Sequence, residues 1–233
     1  MLLPRKFIYV LLLLFASGSL VRANNFFAIR GNISGLDHVW AHLDYLDDKN
    51  VHHNDSALVL RGSFRFMGAI ETPTFAILYF PSSHVQQSFF FDPGFTFVEG
   101  DISANKHLSF RGGNSTSLFS EYTQLADSFS AIRNAIEPFL SGPKAVQDST
   151  IHAQYMDGLY KLISDEESVT EKFIKAHPDS YVSAYILLYK FSGESNINKG
   201  VAILSVLNPK VQQSKYGRQL LQKQKLEKLA PNK

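Results

Sequence analysis

The chain has 233 residues, with 23 Lys or Arg against 21 Asp or Glu. Removal of residues 1–23 would take away Arg5, Lys6 and Arg22 and no acidic residue, which leaves a nearly neutral protein and argues against a nucleic-acid binder with a basic face. There is no cysteine, so disulfides, thiolate metal ligands and sulfur nucleophiles are excluded.

The N-terminus has the order of a secretion signal. Arg5 and Lys6 precede an unbroken apolar run at 7–16, and Val21-Arg22-Ala23 offers a cleavage site. The run is shorter than the ~20 residues that a membrane span needs. We therefore predict a signal peptide at 1–23 and an exported protein, periplasmic or associated with the cell envelope, that has no membrane span after cleavage.

The first half of the mature chain reads as short strands separated by turns. Apolar residues alternate with polar ones between Val39 and Tyr45, and Phe75 to Phe80 is a continuous apolar run, typical of a strand buried on both faces. Two apolar stretches on either side of Gly62 predict a hairpin. Residues 24–112 are therefore expected to form an antiparallel β-sandwich or a partly open barrel.

The period changes after Gly112-Gly113, which we interpret as a flexible joint between two domains. Apolar residues from Leu118 to Phe139 are spaced by four and three, which predicts one long helix with a buried apolar seam. Phe129, at the centre of this seam, is expected to be core. Residues 113–233 are therefore predicted to be an α-helical region of helical hairpins, making the whole an α+β fold.

The remaining helices follow from the same periodicity. A second helix, antiparallel to the first, is expected from Ile151 to Leu162. Ser164-Asp-Glu-Glu167 matches a capping box, which predicts a new helix start with both glutamates in solvent. Two more helices are expected at 181–189 and 197–207, and the basic stretch after Pro209 is predicted to be a solvated helix.

Two groups of side chains are candidates for a site. The first is a dense polar segment that contains Asp37, His38, His42, Asp44, Asp47, Asp48, His52 and His53. On a strand, His38, Trp40, His42 and Asp44 would share one face, where a His pair could bind a metal; the alternative is an exposed sheet face beside a polar loop. A tyrosine stripe, Tyr181, Tyr185 and Tyr189, could stack a ligand or, as such stripes more often do, pack between helices.

Neither group fixes a reaction. Nothing supplies a third metal ligand, and the sequence has no Gly-x-Ser-x-Gly turn. Gly112-Gly113-Asn114 lacks the Lys of a phosphate loop. We therefore assign no catalytic, cofactor-binding or metal residue, and predict that the chain is not an enzyme and has no cofactor.

Several short motifs occur in an order that resembles a known family. In order and spacing they are similar to the domain of unknown function at the N-terminus of Bacteroidetes-type thiol–disulfide interchange proteins, the AhpC/TSA and thioredoxin-like group. The resemblance covers most of residues 26–220. The motifs include Phe27-Ala-Ile-Arg-Gly31, Gly62-Ser-Phe64-Arg-Phe66, Phe90-Phe-Asp-Pro-Gly94 and His177-Pro178.

In that family a thioredoxin-like domain with a Cys-x-x-Cys motif usually follows. Here Ala230-Pro231 is followed by Asn232-Lys233, so we expect the N-terminal domain of this family without the thioredoxin-like redox domain. No catalytic residue of the family can then be assigned to a position of this sequence. The resemblance implies an exported, non-catalytic binding or interaction module, with a protein partner of the cell envelope and no nucleic acid. Two alternatives stay open: an accessory or truncated oxidoreductase subunit whose redox domain is on another chain, and a surface carbohydrate-binding or adhesive module.

Overall fold

A computed structural model of the chain describes residues 25–104, 107–141 and 146–229. Within these ranges eight strands form two four-stranded sheets, and six helices follow them. The architecture is an α+β fold with an N-terminal β-sandwich that does not close into a barrel, as the strand pattern predicted. The predicted secretion signal and its predicted cleavage site lie outside the described residues. Among the helices in the described ranges, none is long and apolar enough to cross a membrane.

Each sheet combines strands from separate parts of the sequence. Sheet A has the order β4-β1-β7-β8, and sheet B has the order β3-β2-β5-β6. The strands are β1 (Phe26–Ser34), β2 (Val39–Leu46), β3 (His52–Val59), β4 (Ser63–Ala69), β5 (Thr74–Phe80), β6 (Val85–Phe91), β7 (Gly94–Asp101) and β8 (Leu108–Arg111).

Two details of the pairing differ from the sequence prediction. β1 and β7 are parallel, whereas every other strand pair is antiparallel. The expected hairpin around Gly62 is confined to its turn, where Leu60 and Ser63 exchange backbone hydrogen bonds, because β3 then continues in sheet B and β4 in sheet A. Gly62 has a φ of +80°, a conformation that glycine adopts without strain, and this sharp turn carries the chain from one sheet to the other.

The core of the sandwich lies between the sheets and is rich in phenylalanine. Phe27 and Ile29 of sheet A face Leu43, Leu78 and Phe91 of sheet B, and all five are fully buried. Burial of this apolar surface is the main stabilising contribution to the sandwich.

A close approach of backbone and ring explains one glycine of the core. Gly31 lies opposite Phe64 in the β1–β4 register. A Cβ at this position would sit 1.9 Å from the Phe64 ring, so a larger residue would displace the ring from the core.

The helices form a second core against the outer face of sheet B. Phe75 of β5 and Phe90 of β6 point away from the sandwich and pack against Phe119, Tyr185 and Tyr216. These contacts fix the helical layer on sheet B. The helices are α1 (Asn114–Leu140), α2 (Ser149–Ala176), α3 (Tyr181–Lys190), α4 (Ile197–Leu204), α5 (Pro209–Gln212) and α6 (Lys215–Leu229).

Only the first half of the α1 seam is core. Leu118 and Tyr122 are buried, whereas Phe129 is half-buried and Ile132 is exposed. The prediction of a fully buried seam is therefore wrong. In the buried half Phe119 contacts Phe75 and Phe90 of sheet B, and in the other half Phe139 stacks on Tyr155 of α2.

The capping-box prediction at Ser164 is also wrong, because α2 runs without a break from Ser149 to Ala176. Asp148 caps this helix by accepting hydrogen bonds from the backbone N–H groups of Thr150 and Ile151. The buried face of the helix continues through this stretch from Leu162 to Glu166, Thr170 and Phe173, so residues 164–167 form one turn within a longer helix.

The glycine pair before α1 is closely packed. A Cβ on Gly113 would lie 2.5 Å from a carboxylate oxygen of Asp92, and one on Gly112 would lie 2.7 Å from Thr116 Oγ1. The same Asp92 accepts from the backbone N–H groups of Ser115 and Thr116 at the start of α1. The division into domains at 24–112 and 113–233 stays a prediction.

Candidate functional site

The outer face of sheet B is divided between a covered and an open part. The side chains of β5 and β6 near Phe75 and Phe90 lie under α1, α3 and α6. The neighbouring part, towards Trp40 on β2, faces solvent. A cavity lies where the helices end and the open sheet begins, and we call it the sheet B cleft.

The sheet B cleft has a volume of about 310 Å³ and a mostly apolar wall. This volume lies at the lower end of the range for small-ligand pockets, roughly 300–1,000 Å³. The sheet contributes Asp44, Tyr45, Leu46, His52, Phe75 and Ile77. The helices contribute Tyr185, Leu188, Lys215, Tyr216 and Gln219.

Lys215, the first residue of α6, is the buried cation of the sheet B cleft. Its residue is only 4% exposed, and its Nζ donates to the carbonyl oxygen of Leu46 at 2.5 Å and to Thr74 Oγ1 at 3.0 Å. In the described part of the chain it forms no ion pair with a carboxylate. Burial lowers the pKa of Lys215 to about 8, and the more distant charges of Asp47 and Asp48 offset this only in part.

Tyrosines line the cleft beside this lysine. Tyr216 Oη accepts a hydrogen bond from the backbone N–H of Phe75 at 2.8 Å, which ties α6 to the end of β5. Tyr185 stacks on Phe75 with 4.4 Å between ring centroids. Burial raises the pKa of both phenols well above the ordinary value, so both are neutral over the physiological pH range.

The predicted tyrosine stripe is therefore split between two environments. Tyr185 packs between the helices and sheet B, while Tyr189, one turn later, is exposed. Tyr181 is half-buried. One member of the stripe thus lines the cleft, and the stripe as a whole does not form a stacking platform.

The histidines and acids of the candidate metal segment are paired along β2 and β3. His52 contacts Asp44 at 2.8 Å and His53 contacts Asp47 at 3.3 Å. His38 precedes β2 and pairs with Asp37, so it does not share a strand face with His42. In the ranges that the structure describes, no three His, Asp or Glu side chains gather as a metal site would require.

The strand register creates one pair that sequence reasoning missed. His42 lies opposite Ser56, and His42 Nδ1 is 3.0 Å from Ser56 Oγ. The other neighbour of the imidazole is the ring of Tyr79, stacked 4.8 Å away. A nucleophilic serine needs a base that a third polar group orients, and a stacked ring does not provide one. His42 and Ser56 lie at polar positions of two alternating strands, but the sequence does not give the register that places them opposite each other.

A second cavity of about 190 Å³ lies between α2 and α3, and its charges are mutually paired. Glu166 contacts Arg133 and also Lys190, the latter at 2.7 Å. The prediction that Glu166 faces solvent is wrong, since Glu166 is buried. Burial alone would raise the pKa of Glu166, but the hydrogen bonds and charges of Lys190 and Arg133 outweigh it and lower the pKa.

The outer face of sheet A is a third surface of interest, and it is uncovered. Phe95 and Phe97 on β7 and Met67 on β4 are each more than two-fifths exposed. The guanidinium of Arg30 lies over the Phe95 ring, 5.5 Å from its centroid. Exposed aromatic, Met and Arg side chains are enriched in protein–protein interfaces.

Comparison with known protein families gives a match for the first part of the described chain. Residues 27–119 match a family described as a domain of unknown function (DUF4369). The matched segment contains the eight strands, except for Phe26 at the start of β1, and the first six residues of α1, ending at Phe119, whose ring contacts Phe90 of sheet B. No curated protein and no solved structure matches the chain.

Proposed function

We propose that the chain is an exported, non-catalytic binding module of the cell envelope, whose ligand occupies the sheet B cleft. The observation that carries the proposal is the cleft itself, an apolar-walled cavity that holds a buried lysine with no contacting carboxylate among the residues that the structure describes. Apolar pockets with a few polar groups directed into them are the usual form of small-ligand sites. The order of charges and apolar residues at the N-terminus supports export.

Binding fits the composition of the cleft better than catalysis does. Its ionisable side chains are the tyrosines Tyr45, Tyr185 and Tyr216, whose pKa values are all raised by burial, together with the Asp44–His52 pair and Lys215. Thiol–disulfide exchange, the reaction of the proteins that the chain resembles, requires a thiolate, and the sequence contains no cysteine. The module would therefore act with such enzymes as a binding partner.

Thermal unfolding with eight-carbon probes tests this proposal. We expect octan-1-ol or octanoate to raise the unfolding temperature of the wild-type protein with increasing concentration, because a ligand that binds the folded state stabilises it by mass action. Leu188→Trp fills the cleft and should abolish the rise. Leu226→Trp, on the exposed side of α6, is the matched control and should leave it unchanged. If octan-1-ol, octanoate and octylamine all fail to stabilise the wild type, the proposal is wrong.

A second candidate is an accessory subunit of a thiol–disulfide oxidoreductase whose redox domain is on another chain. The uncovered Phe95, Phe97 and Met67 on sheet A favour it, because they offer an apolar docking surface distinct from the cleft. A photo-crosslinking residue at Phe97, compared with one at the exposed Lys210, tests this candidate in cells. Cross-links from position 97 to a Cys-x-x-Cys protein would support it, and cross-links that are the same from both positions would reject it.

A further inference from the structure

We infer that the sheet B cleft selects a small apolar carboxylate, whose head group is bound by the Lys215 ammonium and whose apolar part lies against the aromatic wall. This inference rests on the proposed function, since it names the ligand class of the same site. It follows from the hydrogen bonding of Lys215, the charges around it and the shape of the cavity.

The hydrogen bonding of Lys215 leaves one donor for a ligand. A lysine ammonium has three N–H donors. The structure provides two acceptors, the Leu46 carbonyl and Thr74 Oγ1, and Thr74 Oγ1 in turn donates to the carbonyl oxygen of Thr72. These two contacts, with the Tyr216 ring centroid 5.2 Å from Nζ, fix the position of the ammonium before a ligand arrives, and its third N–H has no acceptor among the described residues.

The charges around Lys215 favour an anion in the cleft. The acidic side chains that act on Lys215 are Asp47 and Asp48, and both are already engaged by other donors. Asp47 accepts from the backbone N–H groups of Lys49 and Val51, and Asp48 accepts from that of Glu71. A buried ammonium whose charge is not neutralised by a contacting carboxylate is costly, and a ligand carboxylate would offset that cost with a charge-assisted hydrogen bond.

Asp44 at the rim restricts the orientation of such a ligand. Its carboxylate lines the cleft but is bound to His52 Nε2 at 2.8 Å. An anionic head group would avoid this acidic rim and lie towards Lys215. The apolar part would then contact Phe75, Ile77 and Leu188, which lie on opposite walls of the cavity.

The cavity volume limits the ligand to a small molecule. About 310 Å³ lies at the lower end of known small-ligand sites and is suited to a short chain or a single ring. Octanoate, octan-1-ol and octylamine share one chain and differ only in the head group. They therefore separate recognition of the head group from recognition of the apolar part.

Isothermal titration of the wild-type protein with these three compounds at pH 7 tests the inference. We expect octanoate to bind at least about tenfold more tightly than octan-1-ol, since a hydrogen bond to a charged group contributes more than a neutral one. Octylamine should bind most weakly, because it brings a second cation beside Lys215. Octan-1-ol binding as tightly as octanoate would overturn the carboxylate inference and leave the proposed function intact. Absence of binding by all three would overturn both.

Lys215→Met keeps the length of the side chain and removes its charge. In this variant we expect octanoate to lose its advantage over octan-1-ol, while Lys210→Met, an exposed lysine outside the cleft, retains it. An unchanged head-group preference in Lys215→Met would show that another group selects the anion. If Lys215→Met does not fold, the comparison of the three compounds on the wild type still decides the inference.

Discussion

The inner faces of the two sheets are alike, because both pack into one core, but their outer faces differ. On both, alternate residues of each strand enter the shared core. On the outside, Phe75 and Phe90 of sheet B are covered by helices, whereas Phe95 and Phe97 of sheet A face solvent. Period-two alternation in the sequence identifies the residues that face the inner core. It does not predict whether an outward-facing phenylalanine is buried under helices or exposed to solvent. What separates the two cases is the chain that follows: it returns over sheet B and leaves sheet A free.

The largest effect is expected from removing a covered ring. Phe90 is fully buried between Phe119, Tyr185 and Tyr216, so Phe90→Ala should lower the free energy of unfolding by about 3–5 kcal/mol. Phe95→Ala, the matched change on sheet A, should cost about 0.5 kcal/mol. Urea unfolding of both variants measures the difference. Equal costs would contradict the contrast between the two faces.

A second comparison concerns the boundary of the covered region along α1. Leu118 is buried and Ile132 is half-exposed on the same seam. Leu118→Ala should cost about 2–5 kcal/mol, as for a buried leucine, and Ile132→Ala about 0.5 kcal/mol. Phe129→Ala should fall between them, because its ring is half-buried. Chemical denaturation of the three variants would contradict this gradient if Ile132→Ala proved the most costly.

The sequence predicted local features well and non-local ones poorly. The strand at Phe75 to Phe80 and the helix ending before Ser141 follow from periodicity and turn residues, which are local signals. The parallel β1–β7 pair depends on contacts between residues far apart in sequence. No local pattern encodes such a contact.

The candidate site was missed for a related reason. Lys215 lies in a basic stretch that reads as a solvated helix, and its burial depends on Leu46 and Thr74 from the other half of the chain. The sequence pattern predicts that Glu166 lies in solvent, because it contains no sign of the partners Arg133 and Lys190, which come from two other helices. In both cases the environment of a charged group is set by tertiary contacts, which the pattern of neighbouring residues does not contain.

The ion pairs of Glu166 should contribute less than the aromatic contacts but in a pH-dependent way. Glu166 joins α2 to α1 and α3, and α3 packs on sheet B. Glu166→Gln should lower the free energy of unfolding by about 1–3 kcal/mol at pH 7. Because the pKa of Glu166 is lowered in the folded state, this stabilisation is complete above the ordinary pKa of 4.5 and is lost as the pH falls through the lower folded value.

Unfolding curves of the wild type and Glu166→Gln between pH 7 and pH 3 test this expectation. The difference between the two proteins should shrink once the pH falls below 4.5. Glu121→Gln, an exposed position on α1, is the control and should show little difference at any pH. A constant difference across the range would show that Glu166 acts through packing and not through its charge.

The last expected effect is a pH slope at the junction between α6 and sheet B. The folded-state pKa of Lys215 is lowered to about 8 from an ordinary value of 10.5, so the unfolded chain binds more protons than the folded one between these values. The contribution of Lys215 to stability should therefore rise as the pH increases from 8 towards 10. The stability of the wild type minus that of Lys215→Met isolates this slope, because the tyrosines that titrate at higher pH are common to both proteins. Lys210→Met should keep the wild-type slope. A difference between wild type and Lys215→Met that does not change from pH 8 to 10 would place Lys215 in water, and the helical cover of sheet B would then end before α6.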